Sequence, residues 1–287
     1  MKKLLLLTSL LAVTAGAAAA DISISGDGRM GISSKDGGDN FVISSRARVR
    51  FSGSDESDNG LKFGASFRAN EATDAESTNA AGTVFLESAT MGKLTFGDVD
   101  GAAQAAVTQF GAIGYDETGK LQEFKFLTGG STGKKRDALY TYTKDALAVS
   151  LSMGDPGATS ATPASNFSDD WAVGVAYTTE FWKVAVGYED DGVRTQTIIS
   201  GNYGNGQFDV KGAYGQRDDK KDQYVVYGTY NFGVNSVNAF FRKDFADVEY
   251  QGLGMTHDFG GGLSLLAGYA KADNAKALIS IGAGMSF

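Results

Sequence analysis

The sequence predicts an all-β fold, a closed membrane-spanning barrel of about sixteen antiparallel strands. After Asp21 the chain breaks into short segments in which apolar and polar residues alternate, the pattern of strands with two different faces. Clusters of Gly, Asp, Asn and Ser separate the segments. No segment is long and apolar enough for a membrane helix. The same pattern also fits a water-soluble β-sandwich. The charged faces of the strands distinguish the two folds.

The first twenty residues have the features of a secretory signal peptide. Lys2 and Lys3 precede an apolar run from Leu4 to Val13, and small residues end at Ala20. The run is shorter than the ~20 residues of a transmembrane helix. We therefore expect residues 1–20 to be removed and residues 21–287 to form a single barrel domain in the bacterial outer membrane.

The first segment contains Gly26, Gly28 and Gly31 in the spacing of a dinucleotide-binding turn. Alternation continues through this motif, whereas a nucleotide-binding turn requires a helix to begin there. We interpret it as a strand. The predicted segments are 21–32, 41–54, 60–70, 81–90, 92–98, 137–144, 146–153, 170–179, 182–190, 193–203, 206–215, 222–232, 236–243, 247–258, 262–271 and 276–287.

The joins between these segments alternate between tight turns and longer connections. Tight turns on one rim and longer loops on the other are typical of outer-membrane barrels, in which the turns are periplasmic. An even number of strands is also typical of bacterial barrels.

The second and third segments carry basic residues on one face. Arg46, Arg48 and Arg50 alternate with Ala47, Val49 and Phe51. In a sandwich the arginines would only be solvated, whereas in a barrel they would line water; turning them toward lipid would cost ~2–4 kcal/mol each near the midplane. The predicted basic wall of the pore is Arg29, Arg46, Arg48, Arg50, Lys62 and Arg68.

Aromatic residues bracket two neighbouring segments, WAVGVAY and WKVAVGY. Their spacing predicts an aromatic girdle of Trp171, Tyr177, Trp182 and Tyr188 at the two membrane boundaries. Every Tyr and Trp lies at or beyond Tyr115. The outer face of the first five strands therefore lacks girdle residues, and we expect it to pack against neighbouring subunits.

A long connection, residues 98–136, follows the fifth segment and has no clear strand of its own. Its apolar residues predict that it packs against another part of the protein, and we expect it to fold into the barrel as a constriction loop. Its candidate acidic residues are Asp98, Asp100, Asp116, Glu117 and Glu123. Opposite the basic wall they would create a transverse field; the alternative is a solvated acidic surface loop.

Several blocks resemble the alphaproteobacterial general porins, the Rhodobacter-type family: SGDGRMGI, FVISSRARVRFSGSDESDNGLKFGASFRANE, TVFLESATMGKLTFGD and the closing GAGMSF. The resemblance implies a trimeric sixteen-stranded barrel whose third external loop folds inward and which passes small hydrophilic solutes by diffusion. It matches Arg29, Arg46, Arg48 and Arg68 to the family's basic side, and Asp98 and Asp100 to the start of its acidic loop. Phe287 resembles the family's C-terminal assembly signal.

The resemblance also implies that calcium can bind among the acids, although no cofactor is required. Candidate calcium ligands are Asp98, Asp100, Asp116 and Glu117. The expected partners are two further copies in a homotrimer, outer-membrane lipid and lipopolysaccharide, ions and small hydrophilic solutes.

Composition excludes several other functions. The net charge of −8 argues against nucleic acid as a partner, and the absence of Cys removes thiolate chemistry. With His257 as the single histidine, a Ser-His hydrolase has little support, so we expect no enzymatic activity. The leading hypothesis is a passive outer-membrane diffusion channel, and the alternative is a barrel that anchors a surface receptor or adhesin.

Overall fold

The computed structural model describes residues 20–34, 40–72, 78–128, 137–154 and 170–287. Residues 1–19 of the predicted signal peptide and residues 129–136 of the predicted loop lie outside the described residues. Among the described residues, no helix is long and apolar enough to cross a membrane.

Sixteen antiparallel strands close into one barrel, which confirms the predicted fold class. Each strand pairs with its neighbours in sequence, and β1 pairs with β16 to close the ring. The strands are β1 Asp21–Ser34, β2 Phe41–Glu56, β3 Lys62–Ala72, β4 Thr78–Ser88, β5 Gly92–Gly97, β6 Asp137–Lys144, β7 Leu147–Met153, β8 Trp171–Thr178, β9 Trp182–Asp190, β10 Thr195–Gly204, β11 Phe208–Arg217, β12 Asp222–Phe232, β13 Asn235–Lys243, β14 Glu249–Gly260, β15 Leu263–Ala272 and β16 Leu278–Ser286.

The two faces of the sheet have opposite chemistry. Ile24, Val84 and Ile199 are more than half exposed on the outer face, while Gln196 and Gln223 are buried on the inner face. An apolar outer surface is stable against hydrocarbon, and the polar inner surface is stable against water or a polar loop. The strand alternation therefore fixes which side chains line the lumen.

The longest connection contains the two short helices of the described residues. These are α1, Ala102–Val107, and a 3₁₀ turn, Glu117–Lys120. The sequence did not predict α1, because the six residues AAQAAV are too few to show a helical period.

The buried apolar core lies inside the barrel, between this connection and one side of the wall. Val107, Phe110, Ile113 and Phe124 of the loop belong to it. Their wall partners include Ala172, Ala185, Ile198, Val225 and Phe240, on β8, β9, β10, β12 and β13. Burial of these side chains against the wall stabilises the loop in a defined position.

Candidate functional site

The loop between β5 and β6 makes an outward and a returning pass, and its described part is residues 98–128. Gln109 joins the two passes: its amide donates to the Phe124 carbonyl at 2.9 Å, and its oxygen accepts from the Phe124 N–H at 2.9 Å. We call residues 98–116 the outward arm and residues 117–128 the returning arm.

The outward arm packs closely on the inner wall. Gly187 of β9 lies so near α1 that a Cβ there would come within 2.8 Å of the Ala103 Cβ. Beyond α1, the ammonium group of Lys211 donates to the carbonyls of Thr108 at 2.9 Å and Gln109 at 3.1 Å. These contacts hold the arm against β9 and β11.

The tip of the loop reaches β1, the first strand of the barrel. A Cβ at Gly31 would lie 3.0 Å from the Tyr115 ring, so this glycine makes room for the ring. The Arg29 guanidinium donates to the Tyr115 carbonyl at 3.3 Å. The third glycine of the apparent nucleotide motif therefore receives the tip of the loop.

The loop lies in the lumen, because its described contacts fall on β1 and on every strand from β7 to β16. Only the interior of the ring is close to so many strands at once. Representative wall residues are Ser152, Gly174, Glu189, Gln196, Gly215, Gln223, Asn238, Gly254, Gly268 and Ser280. The open cross-section is consequently bordered by the remaining strands, mainly β2 to β5.

Five of the predicted basic residues lie together on the inner face beside this opening. Strand register places Arg29 opposite Arg46 and Arg50 opposite Arg68. Arg48 lies between Arg46 and Arg50 on the same face of β2. The arginines lie close together despite their mutual repulsion, because the pairing of the strands sets the distances between them.

Asp27 is a constituent of the basic wall that the sequence analysis missed. It accepts from Arg48 Nε at 2.9 Å and lies 2.8 Å from Arg48 Nη2, and it pairs with Arg46 Nη2 at 3.2 Å. The forked contact with Arg48 fixes the orientation of that guanidinium. Asp27 shares the inward phase of Arg29, so the alternation alone contained the signal for its direction.

The backbone of one predicted acid, Asp98, lies at the height of Arg68. The Asp98 N–H donates to the carbonyl of Gly82, which lies across from the Ser66–Arg68 stretch of β3. Since two strand spacings separate β5 from β3, the backbones are about 10 Å apart there. Asp98 and Asp100 are exposed to the lumen, and the Gln104 amide donates to Asp100 at 2.8 Å.

The environment of Asp100 changes its acidity. Although its side chain borders lumen water, the surrounding protein desolvates the carboxylate and Asp98 repels it, so both raise the pKa of Asp100 above its ordinary value. Asp100 therefore holds its negative charge less firmly than a fully hydrated aspartate without an acidic neighbour would.

The other predicted acids make their described contacts elsewhere. Asp116 accepts from the Thr118 N–H and borders a cavity with Ser34 and Lys276. Glu123 lies 3.4 Å from Lys120 within the returning arm. The side chain of Glu117 lies outside the described part of the structure.

Lys62 lies on the inner face but away from the arginines. It faces Glu56 and Glu87, beside the turn that joins β2 to β3. Arg68 is six positions further along β3, which is about 20 Å along a strand. Lys62 therefore borders the tight-turn rim.

The predicted girdle residues lie near the ends of β8 and β9. Trp171, Tyr177 and Trp182 are about half exposed, and the rings of Trp171 and Tyr188 are 5.2 Å apart. Phe287 pairs with Gly26 of β1 through two backbone hydrogen bonds of 2.7 and 3.0 Å. Its ring lies over Gly26 on the outer surface of the barrel. The girdle and assembly roles stay predictions.

Of the predicted calcium ligands, Asp98 and Asp100 lie close enough to repel each other, and the side chain of Glu117 lies outside the described part of the structure. Among the described residues, no group of three or more His, Cys, Asp or Glu side chains is placed to hold a metal ion. A calcium site among Asp98, Asp100, Asp116 and Glu117 stays a prediction.

Comparison with known proteins gives a consistent result. A family profile described as Gram-negative porin matches residues 7–277. A porin of Rhodobacter capsulatus is 33% identical over 296 aligned positions, which cover 88% of this chain and 95% of that porin. A porin of Fuscovulum blasticum is 25% identical and covers 85% and 92%, respectively. A porin structure refined at 1.8 Å superposes with a TM-score of 0.78 at 29% identity, covering 93% of this chain and all of that one.

Proposed function

The chain belongs to the Gram-negative porin family, and from this premise we propose that it assembles as a homotrimer in which each subunit is a separate channel. It is an outer-membrane diffusion porin, a passive channel rather than an enzyme. Ions and small hydrophilic solutes pass through its water-filled lumen down their concentration gradients.

The observation that carries the transport mechanism is the separation of charge across the opening. Arginines of β1 to β3 lie on one side, and Asp98 and Asp100 lie on the side where the loop begins. A field between fixed charges orients dipolar solutes and costs no reorganisation as they pass. Apolar solutes gain nothing from this field and would have to displace the water that it orients, so the opening favours small polar molecules.

The outer face of β1 to β5 supports the proposed trimer. Ile22, Ile24, Phe63, Val84 and Leu86 are exposed there, and no Tyr or Trp occurs in these strands. Phe63, Val84, Leu86, Leu94 and Phe96 also border an apolar groove. A lipid-facing surface normally has girdle residues, so we assign this face to contact between subunits. The opposite side, with Trp171 and Trp182, would face lipid and lipopolysaccharide.

Single-channel recording tests both the homotrimer and the channel function. The purified, unboiled oligomer in a planar bilayer should show conductance steps grouped in threes, with a reversal potential under a salt gradient. Single independent steps would contradict the trimer while leaving the channel intact. A folded barrel that inserts without conductance would contradict transport and support the surface-anchor alternative.

A further inference from the structure

Three buried polar side chains of the wall hold the returning arm of the loop. Glu189 and Gln223 are 0% exposed and Gln196 is 1% exposed. They lie on β9, β12 and β10, respectively. Buried polar groups of this kind are costly unless each is hydrogen-bonded, so their partners indicate what they do.

Glu189 binds the end of the returning arm. One carboxylate oxygen accepts from the Leu127 N–H at 2.6 Å and from the Gln196 amide at 3.0 Å. The other oxygen accepts from the N–H and the hydroxyl of Thr128, at 3.3 and 3.1 Å. Every one of these neighbours is a donor, so the site is built for a group that only accepts.

The two glutamines bind the backbone two residues earlier. Gln223 accepts from the Lys125 N–H at 3.1 Å and donates to the Lys125 carbonyl at 2.6 Å. Gln196 also donates to that carbonyl, at 3.1 Å, and accepts from Gln223 at 3.3 Å. The three side chains therefore form one connected network, and we call it the clamp.

The intervening strand β11 leaves space for the loop at this level. A Cβ at Gly215 would lie 2.7 Å from the Phe124 ring. Gly215 pairs with Gln223, and Gln196 pairs with Glu189 across β10 and β9. The ring of Phe124 fits over this glycine while the clamp binds the residues that follow. The arm is consequently fixed in register as well as in distance from the wall.

The clamp lies across the barrel from the arginines. In the closed ring, β10 is eight strands from β2 in either direction. Sixteen strands at a spacing of ~4.8 Å and a tilt of ~40° give a backbone diameter of about 32 Å. Because the wall prevents movement outward, an arm released from the clamp can move only into the lumen, toward the basic side.

We propose that Glu189, Gln196 and Gln223 are positioning residues that keep the channel open by holding the returning arm against the wall. The proposal rests on the channel function and adds a role to residues that lie away from the charged opening. The acceptor pattern of the Glu189 carboxylate, rather than its volume, is the property on which the clamp depends.

The substitution Glu189→Gln tests this property at nearly constant volume. The new amide would direct N–H groups at the N–H groups of Leu127 or Thr128. In planar bilayers we expect the fully open conductance to stay within about 20% of the unsubstituted value, because the wall and the arginines are unchanged. We expect closures to become at least fivefold more frequent and the voltage that induces them to fall.

Glu180→Gln is the matched control, since it makes the same chemical change on an exposed residue in the turn between β8 and β9. Glu189→Asp separates chemistry from packing. Asp keeps a carboxylate but is smaller, so the clamp predicts fewer closures for Glu189→Asp than for Glu189→Gln. A role in packing alone predicts the opposite order, and that order would overturn the proposal.

Gln223→Met provides a second route if Glu189→Gln does not insert. It removes the two bonds between Gln223 and Lys125 and leaves Glu189 in place, so more frequent closures are again expected. Closures as rare as those of the Glu180→Gln control would overturn the clamp. An unsubstituted protein without conductance would instead contradict the channel function, so the two failures are distinguishable. The unboiled oligomer on a gel reports whether each variant is folded.

Discussion

Removal of Arg46 and Arg48 should convert the opening toward cation preference. Both guanidinium groups are partly exposed to the lumen, and both pair with Asp27 at 2.8 to 3.2 Å. The double substitution Arg46→Ala with Arg48→Ala removes two positive charges and leaves the Asp27 carboxylate without these partners. It also deletes two long side chains beside the opening, so the conductance should rise.

The size of the shift follows from Coulomb's law. An ion about 8 Å from a unit charge in water has an interaction energy of about 0.5 kcal/mol, which screening in 0.1 M salt reduces to about 0.2 kcal/mol. Two charges act with opposite sign on cations and anions, so the difference between the ions changes by about 0.9 kcal/mol. The cation-to-anion permeability ratio should rise about fourfold.

Reversal potentials under a salt gradient measure this ratio. The matched control is Lys62→Ala with Lys144→Ala, which removes two exposed charges from the tight-turn rim. We expect the control to change the ratio less than twofold. In 1 M salt the effect of the arginine substitutions should almost vanish, because the Debye length falls to about 3 Å. An unchanged reversal potential in 0.1 M salt would remove Arg46 and Arg48 from the constriction.

Two further predictions concern the loop. Gly187→Leu should push α1 into the lumen and lower the single-channel conductance, since even a Cβ there would come within 2.8 Å of Ala103; Gly201→Leu, where nothing lies within 4 Å of a Cβ, should leave conductance unchanged, and equal values would contradict the packing of α1. The pKa of Asp100 is raised, so this carboxylate takes up a proton at a higher pH than an ordinary aspartate as the solution is acidified. Acidification should therefore shift the reversal potential away from cation preference at a higher pH than an ordinary aspartate would. Asp100→Asn should abolish this shift, and identical pH profiles for the two proteins would refute the role of Asp100.

The strand bounds show how much of the secondary structure the local pattern predicts. The segment predicted at 182–190 is β9 with the same bounds, and the segment predicted at 81–90 is β4 at Thr78–Ser88. Both are stretches in which side chains alternate between two environments. Strand ends were less exact, because pairing can continue past the last residue that shows the alternation.

The constriction was only partly predictable. The inward direction of Arg46, Arg48 and Arg50 follows from their spacing, but the pairing of Arg46 and Arg48 with Asp27 requires the register between β1 and β2. The charge of Asp116 and Glu123 predicted them as acids of the constriction; Asp116 caps the 3₁₀ turn and Glu123 pairs with Lys120, and their role in the constriction stays a prediction. Charge alone does not determine which way a loop residue points.

The class of fold, the two faces of each strand and the set of charges available to the lumen follow from the sequence alone. These properties are local, because a period of two residues assigns each side chain to a face without reference to any other strand. The path of the loop, the place of Tyr115 over Gly31 and the clamp on Lys125, Leu127 and Thr128 depend instead on the folded barrel. These contacts join residues far apart in the chain, and they exist only once β1 has closed on β16 to enclose the loop.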